Sequence, residues 1–385
     1  MLHLFANHKV TGPAELALET CRALVAAGVP AELLTSDVTR TKHRDRWLHL
    51  LALERGVPVA PIEGLRLGKH HKPVRTWLDA RRLAAALRAR PPRLVHCHLP
   101  NDHLIAAMAV ERSGLRLPLV RTLYDAEAPA PTRRTRRTLR GVARLVCLSR
   151  AAADAVRAGA RALGVDPGRV EHLEPPIDTD RFDPARGVPA RRAALGLAPD
   201  DLVVGIVARM QTHRRYEVLL EAVRLARAEL PRLRLVVVGR GTKQDEVARE
   251  PVRRLGLEDA VTFAGHVSGD DYVGTLAAFD LKVFMVPGSD GTCRAVREAL
   301  AMALPVVTTR QGILPELVRE GETGLLVAAG PEAPELAAAL VALGRDAGRR
   351  AAMSAAARAD AVARFAYPRH AARLAALYDA VCAGG

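Results

Sequence analysis

At 385 residues and 49% hydrophobic, the chain is long enough for two domains with buried cores, which its 3% aromatic content makes mainly Ala, Leu and Val. The formal charge of +15 is uneven, with 29 Lys/Arg against 18 Asp/Glu in residues 1–180 and 28 against 24 after them; the basic first half suits a large anionic partner (membrane phospholipid, anionic glycolipid or nucleic acid), or is only the surface of an arginine-rich chain. Cys21, Cys97, Cys147, Cys293 and Cys382 are scattered with no CxxC, which excludes a disulfide framework and a cysteine-held zinc cluster, and no apolar run reaches the ~18 residues of a membrane span.

Strand candidates alternate with helical patterns from the start. LHLFA (2–6) precedes a turn containing Gly12 and a helical spacing to about Ala27. AELLT (31–35), RLVHC (93–97), LPLVRTL (117–123), ARLVCLS (143–149) and VEHLE (170–174) read as further strands. Helical segments fall at 40–56, 73–89, 101–113 and 149–162. The proline- and aspartate-rich PPIDTDRFDPARGVPA (175–190) reads as a linker. The alternation then restarts with DLVVGIVAR (201–209), a helix over 216–230, RLVVVG (234–239), a helix to about Leu255, VTFAG (261–265) and a helix around 270–278. GLLV (324–327) is a last strand, and the remainder is helical with a break near Tyr367-Pro368. The expected fold is α/β, with two Rossmann-like, doubly wound parallel-sheet domains facing across a cleft. Residues 1–176 form the first domain and 177–366 the second, and the helix in 367–385 returns to the first.

One stretch concentrates the chemistry. LKVFMV (281–286) reads as a buried strand, GSDGT as a small-residue turn, CRAVREALAMAL as a helix stopped by Pro305, and PVVTT as the next strand. Such a helix start has unpartnered N–H groups and favours an anion, commonly phosphate. Asp290 and Glu298 cannot bind that anion, but they can accept hydrogen bonds from hydroxyls on the same ligand. A ligand with both phosphate and many hydroxyls is a nucleotide sugar. Arg209 at a strand end and Arg214 in the following loop could reach its diphosphate, or are solvated loop arginines. GRG (239–241) taken alone is turn punctuation, and neither GxxxxGK[ST] nor an opening GxGxxG is present, which counts against an ATPase or a nicotinamide enzyme.

In the first half, His96 and His98 share a strand face, with His103 across a Pro-Asn-Asp turn. They read as a hydrogen-bonding cleft histidine, as plain strand-end residues, or as a metal set if His103 closes on the pair. Arg133, Arg134, Arg136, Arg137 and Arg140 form the densest basic run. It reads as a contact for anionic membrane or as a solvated helix face, and it lacks the aromatic residues that nucleic acid would stack on.

Together these pieces resemble the GT-B glycosyltransferases of family 4, with the group-1 transferase domain in the second half. The most specific match is Asp290-x7-Glu298 followed by ALAMALPVVTT and QGILPELVREGETGLLV (311–327), similar to the family's E-x7-E motif. GIVARMQTHRRYEVLLEA (205–222), LVVVGRG (235–241), VTFAGHV (261–267), VCLSR (146–150) and IDTDRFDP (177–184) support it by order and spacing. The resemblance implies retaining sugar transfer from a nucleotide sugar, with no metal and no cofactor besides the donor, to an envelope glycolipid or polysaccharide. Arg209 and Arg214 would hold the diphosphate, Glu298 would accept from the ribose hydroxyls, and Asp290 would contact the donor sugar beside the backbone N–H groups of Gly291 and Thr292. Gly12 would approach the phosphates, His98 would be the catalytic cleft histidine, and His266 and Val267 would flank the base through their backbone. The chain departs from the family in four places: Asp290 for glutamate, Arg214 for lysine, Arg215 where glycine is common, and TGPA for a double glycine. The expected location is cytoplasmic, possible peripheral membrane contact being through the arginine run. Alternatives are a nucleotide-sugar epimerase of the same fold, or a nucleotide-sugar- or nucleic-acid-binding protein without catalysis.

Overall fold

The computed structural model describes residues 1–36, 47–60, 62–125, 127–287 and 293–383. The chain divides into two units, Met1–Pro176 with Phe365–Gly385, and Ile177–Gly288 with Cys293–Arg364.

The first unit runs β1 (Leu2–Phe5), α1 (Gly12–Ala26), β2 (Glu32–Thr35), α2 (Leu48–Glu54), α3 (Pro73–Ala89), β3 (Val95–Cys97), α4 (Pro100–Ser113), β4 (Leu119–Leu123), α5 (Arg133–Leu139), β5 (Val142–Cys147), α6 (Arg150–Ala158), α7 (Ala160–Leu163) and β6 (Val170–His172). Its strands form one sheet in the order β2-β1-β3-β4-β5-β6, parallel throughout. Both faces are covered, so β1 and β4 are buried along their whole length. Leu83, Leu87, Ile105 and Ala109 of α3 and α4 pack on one face with Leu4, Val95 and Leu119. Prolines open α3 and α4, where a missing N–H costs nothing, and Gly114 closes α4 at φ 73°. The helix expected over 149–162 is two helices, α6 and α7, that meet at Gly159.

The second unit contains β7 (Leu202–Val207), α8 (Tyr216–Arg227), β8 (Leu233–Val238), α9 (Glu250–Arg254), β9 (Val261–Gly265), α10 (Gly269–Ala277), β10 (Leu281–Phe284), α11 (Arg294–Ala301), β11 (Val306–Thr309), α12 (Leu314–Leu317), β12 (Gly324–Val327), α13 (Ala333–Arg345) and α14 (Ala347–Phe365). Its parallel sheet has the order β12-β11-β10-β7-β8-β9. The amphipathic α8 lays Val218, Leu219, Ala222, Val223 and Ala226 into a core with Leu235, Val237, Leu281 and Val283, which Leu336 and Leu340 of α13 complete. A π-helical turn, Asp245–Arg249, precedes α9. Pro251 has no N–H to donate one turn back, so the backbone adjusts there. The stretch 175–190 is not a loose tether. Phe182 is buried, and Arg358 of α14 donates to the carbonyls of Thr179 (3.0 Å) and Phe182 (2.9 Å) and pairs with Asp183 (2.6 Å).

The last helix, α15 (Tyr367–Ala383), belongs to the first unit. Ala371, Leu374 and Tyr378 pack with Ala23 and Leu24 of α1 on the sheet face opposite α3 and α4. His370 donates to the Glu174 carbonyl (3.0 Å) and Arg373 to the His172 carbonyl (2.8 Å).

Candidate active site

In each sheet the strand order reverses once, between β1 and β3 in the first unit and between β7 and β10 in the second. Open parallel sheets bind ligands beyond the carboxyl ends of their strands at such points.

In the second unit, Arg209 lies two residues past β7 and is exposed. Arg214 ends a tight turn, Thr212–Arg214, and donates to the Val286 carbonyl just beyond β10 (2.6 Å). The two strands at the reversal are thus bridged by a guanidinium, whose carbon lies 5.9 Å from the Phe284 ring centre. Arg215 follows at φ 59°, a left-handed conformation that glycine adopts freely. This explains the glycine common there in the family. The GRG turn after β8 is more than punctuation. A Cβ on Gly239 would sit 2.3 Å from the Ala208 carbonyl oxygen and one on Gly241 1.9 Å from that of Met210, so only glycine lets the β7 and β8 exits run side by side. His266 is exposed and Val267 half-buried directly after β9, at the same edge of the sheet.

Glu298 lies inside α11 and is 3% exposed. Its Oε2 accepts from the Tyr272 hydroxyl (2.6 Å) and its Oε1 from Arg294 Nε (2.7 Å). Burial, then the Glu298 charge, holds the Tyr272 hydroxyl well above its usual pKa, so it stays a donor. Near Glu298 is a residue the sequence reading passed over. Lys282, in the middle of β10, is fully buried, and its Nζ has no hydrogen-bond partner among the described residues. Burial pulls its amine down to about 7, and Glu298 pulls it back up. Asp290, Gly291 and Thr292 lie outside the described residues.

In the first unit, Gly12 is the first residue of α1 and half-buried, and the preceding Thr11 does not cap the helix with its side chain. His98, just past β3, is 1% exposed. Its Nδ1 pairs with the Tyr124 hydroxyl (2.7 Å) and its Nε2 with Nδ1 of His3 (3.1 Å). The His96 and His98 rings stack at 4.7 Å and 8°. The third ring beside them is His3, which β1 sets in register with His96, and not His103. One ring nitrogen from each of the three lies within 4.8 Å of the others, close enough to share an ion, and all six ring nitrogens have hydrogen-bond partners, among themselves and in Thr122, Tyr124 and Tyr378. Burial pulls His3 and His103 down to about 3, and His96 and His98 well below their usual value, so these rings are neutral.

Asp102, at the third position of α4, organises the strand ends. Its carboxylate accepts from the backbone N–H of Ala6 (3.0 Å), His98 (3.1 Å) and Leu99 (2.8 Å), and from Arg121 of β4 (3.3 Å). Burial pushes the carboxyl up to about 7 against Arg121 and those N–H groups. One side chain therefore fixes the exits of β1 and β3, the start of α4 and a buried arginine. The five arginines of the basic run all face solvent on or next to α5, where only Thr138 and Leu139 are buried.

Comparison with known proteins assigns both halves. Residues 10–181 match the model of Glycosyltransferase Family 4, and residues 201–346 that of Glycosyl transferases group 1. The D-inositol 3-phosphate glycosyltransferase of Stackebrandtia nassauensis is 33% identical over 94% of this chain and 86% of its own length. The chain belongs to glycosyltransferase family 4. It is a glycosyltransferase, and its two parallel-sheet units have the GT-B fold. The D-inositol 3-phosphate glycosyltransferase of Rhodococcus jostii is 31% identical over 88% of this chain and 78% of its own. Among solved structures, Anabaena HepE in complex with UDP shares the fold at a TM-score of 0.80, with 21% identity over 98% of this chain and 99% of that one. A glycosyltransferase from Rickettsia africae does so at 0.80, with 17% identity over 99% and 97%. No helix among the described residues is long and apolar enough to cross a membrane.

Proposed function

We propose that this glycosyltransferase takes its sugar from a nucleotide sugar and transfers it with retention of configuration and without a metal. The observation that carries the donor reading is the pair Arg209 and Arg214 at the β7/β10 reversal, one exposed and one fastened to the Val286 carbonyl. Their guanidinium groups would hold the donor diphosphate and take up the charge that develops on it as the sugar–oxygen bond breaks. Glu298 would accept from the ribose hydroxyls. A carboxylate offers about four lone-pair sites, and Tyr272 and Arg294 take two of them. His266 and Val267 would flank the base through their backbone, Gly12 would approach the phosphates, and Asp290, Gly291 and Thr292 would meet the sugar. In this reading the electron pair of the broken bond goes to the diphosphate. The acceptor oxygen bonds to the sugar carbon on the same face, and its proton passes to a diphosphate oxygen.

The acceptor would be met by the first unit, near His98. Two acceptor classes fit this reading: an envelope glycolipid or polysaccharide, and a small phosphorylated polyol. The second is favoured by relatives named for D-inositol 3-phosphate over most of their length. The arginines of α5 would hold the enzyme peripherally at an anionic membrane on its cytoplasmic side, which suits a lipid acceptor. A thermal-shift panel of nucleotide sugars tests the donor reading. A ligand at 100 times its dissociation constant stabilises by about 2.7 kcal/mol. A panel in which no nucleotide sugar raises the melting temperature would refute it.

A further inference from the structure

Six side chains from four elements form one unbroken chain of hydrogen bonds inside the first unit. Thr122 Oγ1 of β4 pairs with His96 Nε2 (2.7 Å), and His96 Nδ1 with the Tyr378 hydroxyl of α15 (2.5 Å). The same hydroxyl pairs with His3 Nε2 (3.2 Å), His3 Nδ1 with His98 Nε2 (3.1 Å), and His98 Nδ1 with the Tyr124 hydroxyl (2.7 Å). His3, His96, His98 and Thr122 are at most 5% exposed, and Tyr378 is fully buried. Tyr124, at the exit of β4, is half-buried.

A neutral imidazole has one N–H and one bare nitrogen, so a chain of this kind can run in only one of two directions. Each end hydroxyl, Thr122 and Tyr124, has a histidine nitrogen as its one partner among the described residues, and Thr122, the more buried of the two, decides between them. Thr122 Oγ1 has His96 Nε2 as its one side-chain partner among the described residues, and a buried hydroxyl must place its proton. Thr122 therefore donates to His96 Nε2. His96 Nδ1–H donates to the Tyr378 oxygen, Tyr378 O–H to His3 Nε2, His3 Nδ1–H to His98 Nε2, and His98 Nδ1–H to the Tyr124 oxygen. The Tyr124 proton is left pointing away from the chain. In the opposite direction Tyr124 would spend its proton on His98 and present only an acceptor.

We propose that this one-way relay holds His98 as its Nδ1–H tautomer and makes the Tyr124 hydroxyl a hydrogen-bond donor to a substrate oxygen, with Tyr378 of the C-terminal helix as the positioning residue that passes on the direction fixed at Thr122. The proposal rests on the reading that substrate lies at this strand-exit edge. It assigns to α15 a part in the reaction that its distance along the chain conceals.

Full-length protein labelled with 15N histidine tests the tautomer directly. Wild type is expected to show His98 protonated on Nδ1 alone. Tyr378→Phe removes the central hydroxyl and frees His3 and His98 to reverse, so the single pattern at His98 should be lost. Release of UDP from UDP-glucose should fall at least about 10-fold in kcat, with KM within about twofold. Thr122→Val breaks the far end of the relay without touching α15 and should disturb His98 in the same way. Asp379→Ala, which removes only the exposed pair to Arg93 (3.0 Å), should change neither readout. Wild-type His98 protonated on Nε2 overturns the proposal. So does a folded Tyr378→Phe or Thr122→Val protein with unchanged His98 resonances and unchanged kcat. Wild type that releases no UDP from UDP-glucose rules out UDP-glucose as the donor, while the nitrogen spectrum still decides the relay.

Discussion

Lys282 offers the sharpest stability test. Replacing it with Met keeps an unbranched chain of similar length and removes a buried amine whose Nζ has no hydrogen-bond partner among the described residues. In the folded protein the amine is pulled from 10.5 to about 7. Between those two values the unfolded chain binds more protons than the folded one, so this group makes stability rise with pH. At ~1.36 kcal/mol per pH unit, its cost is on the order of 4 kcal/mol at pH 7 and falls below about 1 kcal/mol by pH 10. Lys282→Met should therefore stabilise at pH 7 by about 1–4 kcal/mol, the lower end allowing for imperfect packing of the thioether in the amine's place. The gain should shrink towards zero at pH 10. Urea unfolding of both proteins at pH 7, 8, 9 and 10 measures this, and the difference between them cancels every other titrating group. Parallel stability curves, or a destabilised Met variant at pH 7, would refute the burial argument.

Glu298→Gln should weaken nucleotide binding about 10- to 100-fold in a titration followed by calorimetry, the range of a hydrogen bond to a charged group; unchanged affinity removes Glu298 from the ribose site. Gln is the better choice than Ala because Glu298 also holds Tyr272 and Arg294, and Ala would mix folding with binding. Arg215→Gly should stabilise by about 1 kcal/mol by relieving the left-handed backbone, and a lowered melting temperature would contradict this. Asp102→Ala should cost about 3–5 kcal/mol in chemical denaturation, since it strands Arg121 and three N–H groups, and a loss below about 1 kcal/mol would show that the strand exits hold without it. Reversing the charges of Arg133, Arg134, Arg136, Arg137 and Arg140 should reduce sedimentation with anionic liposomes at low salt by roughly the worth of several surface charges, ~1 kcal/mol each. Unchanged binding would leave the run a solvated face.

Much of the second unit was legible because its signals are local. The run from Leu281 to Val307 carries a strand, a helix and a strand in order, and Glu298 falls on that helix. Arg214 could be placed at the strand exits from spacing alone. The histidine relay was half legible. His96 and His98 share a strand phase, but His3 joins them only once β1 is paired with β3, and Tyr378 arrives from 282 positions away. A signal was present: His3, Arg121 and Lys282 each interrupt an apolar strand of a sheet covered on both faces, where a charged or polar residue needs a reason. In the sequence Asp102 reads as part of a turn between His98 and His103 and gives no sign that, from the first turn of α4, it would gather four donors, because three of them are backbone groups.

The most direct measurement is the transfer reaction itself, run with UDP-glucose, D-inositol 3-phosphate or a lipid acceptor, and excess chelator. Retaining, metal-independent transfer predicts release of UDP and a product whose new glycosidic bond has the configuration of the donor. A product of inverted configuration, or a reaction abolished by chelator and restored by a divalent cation, would contradict it.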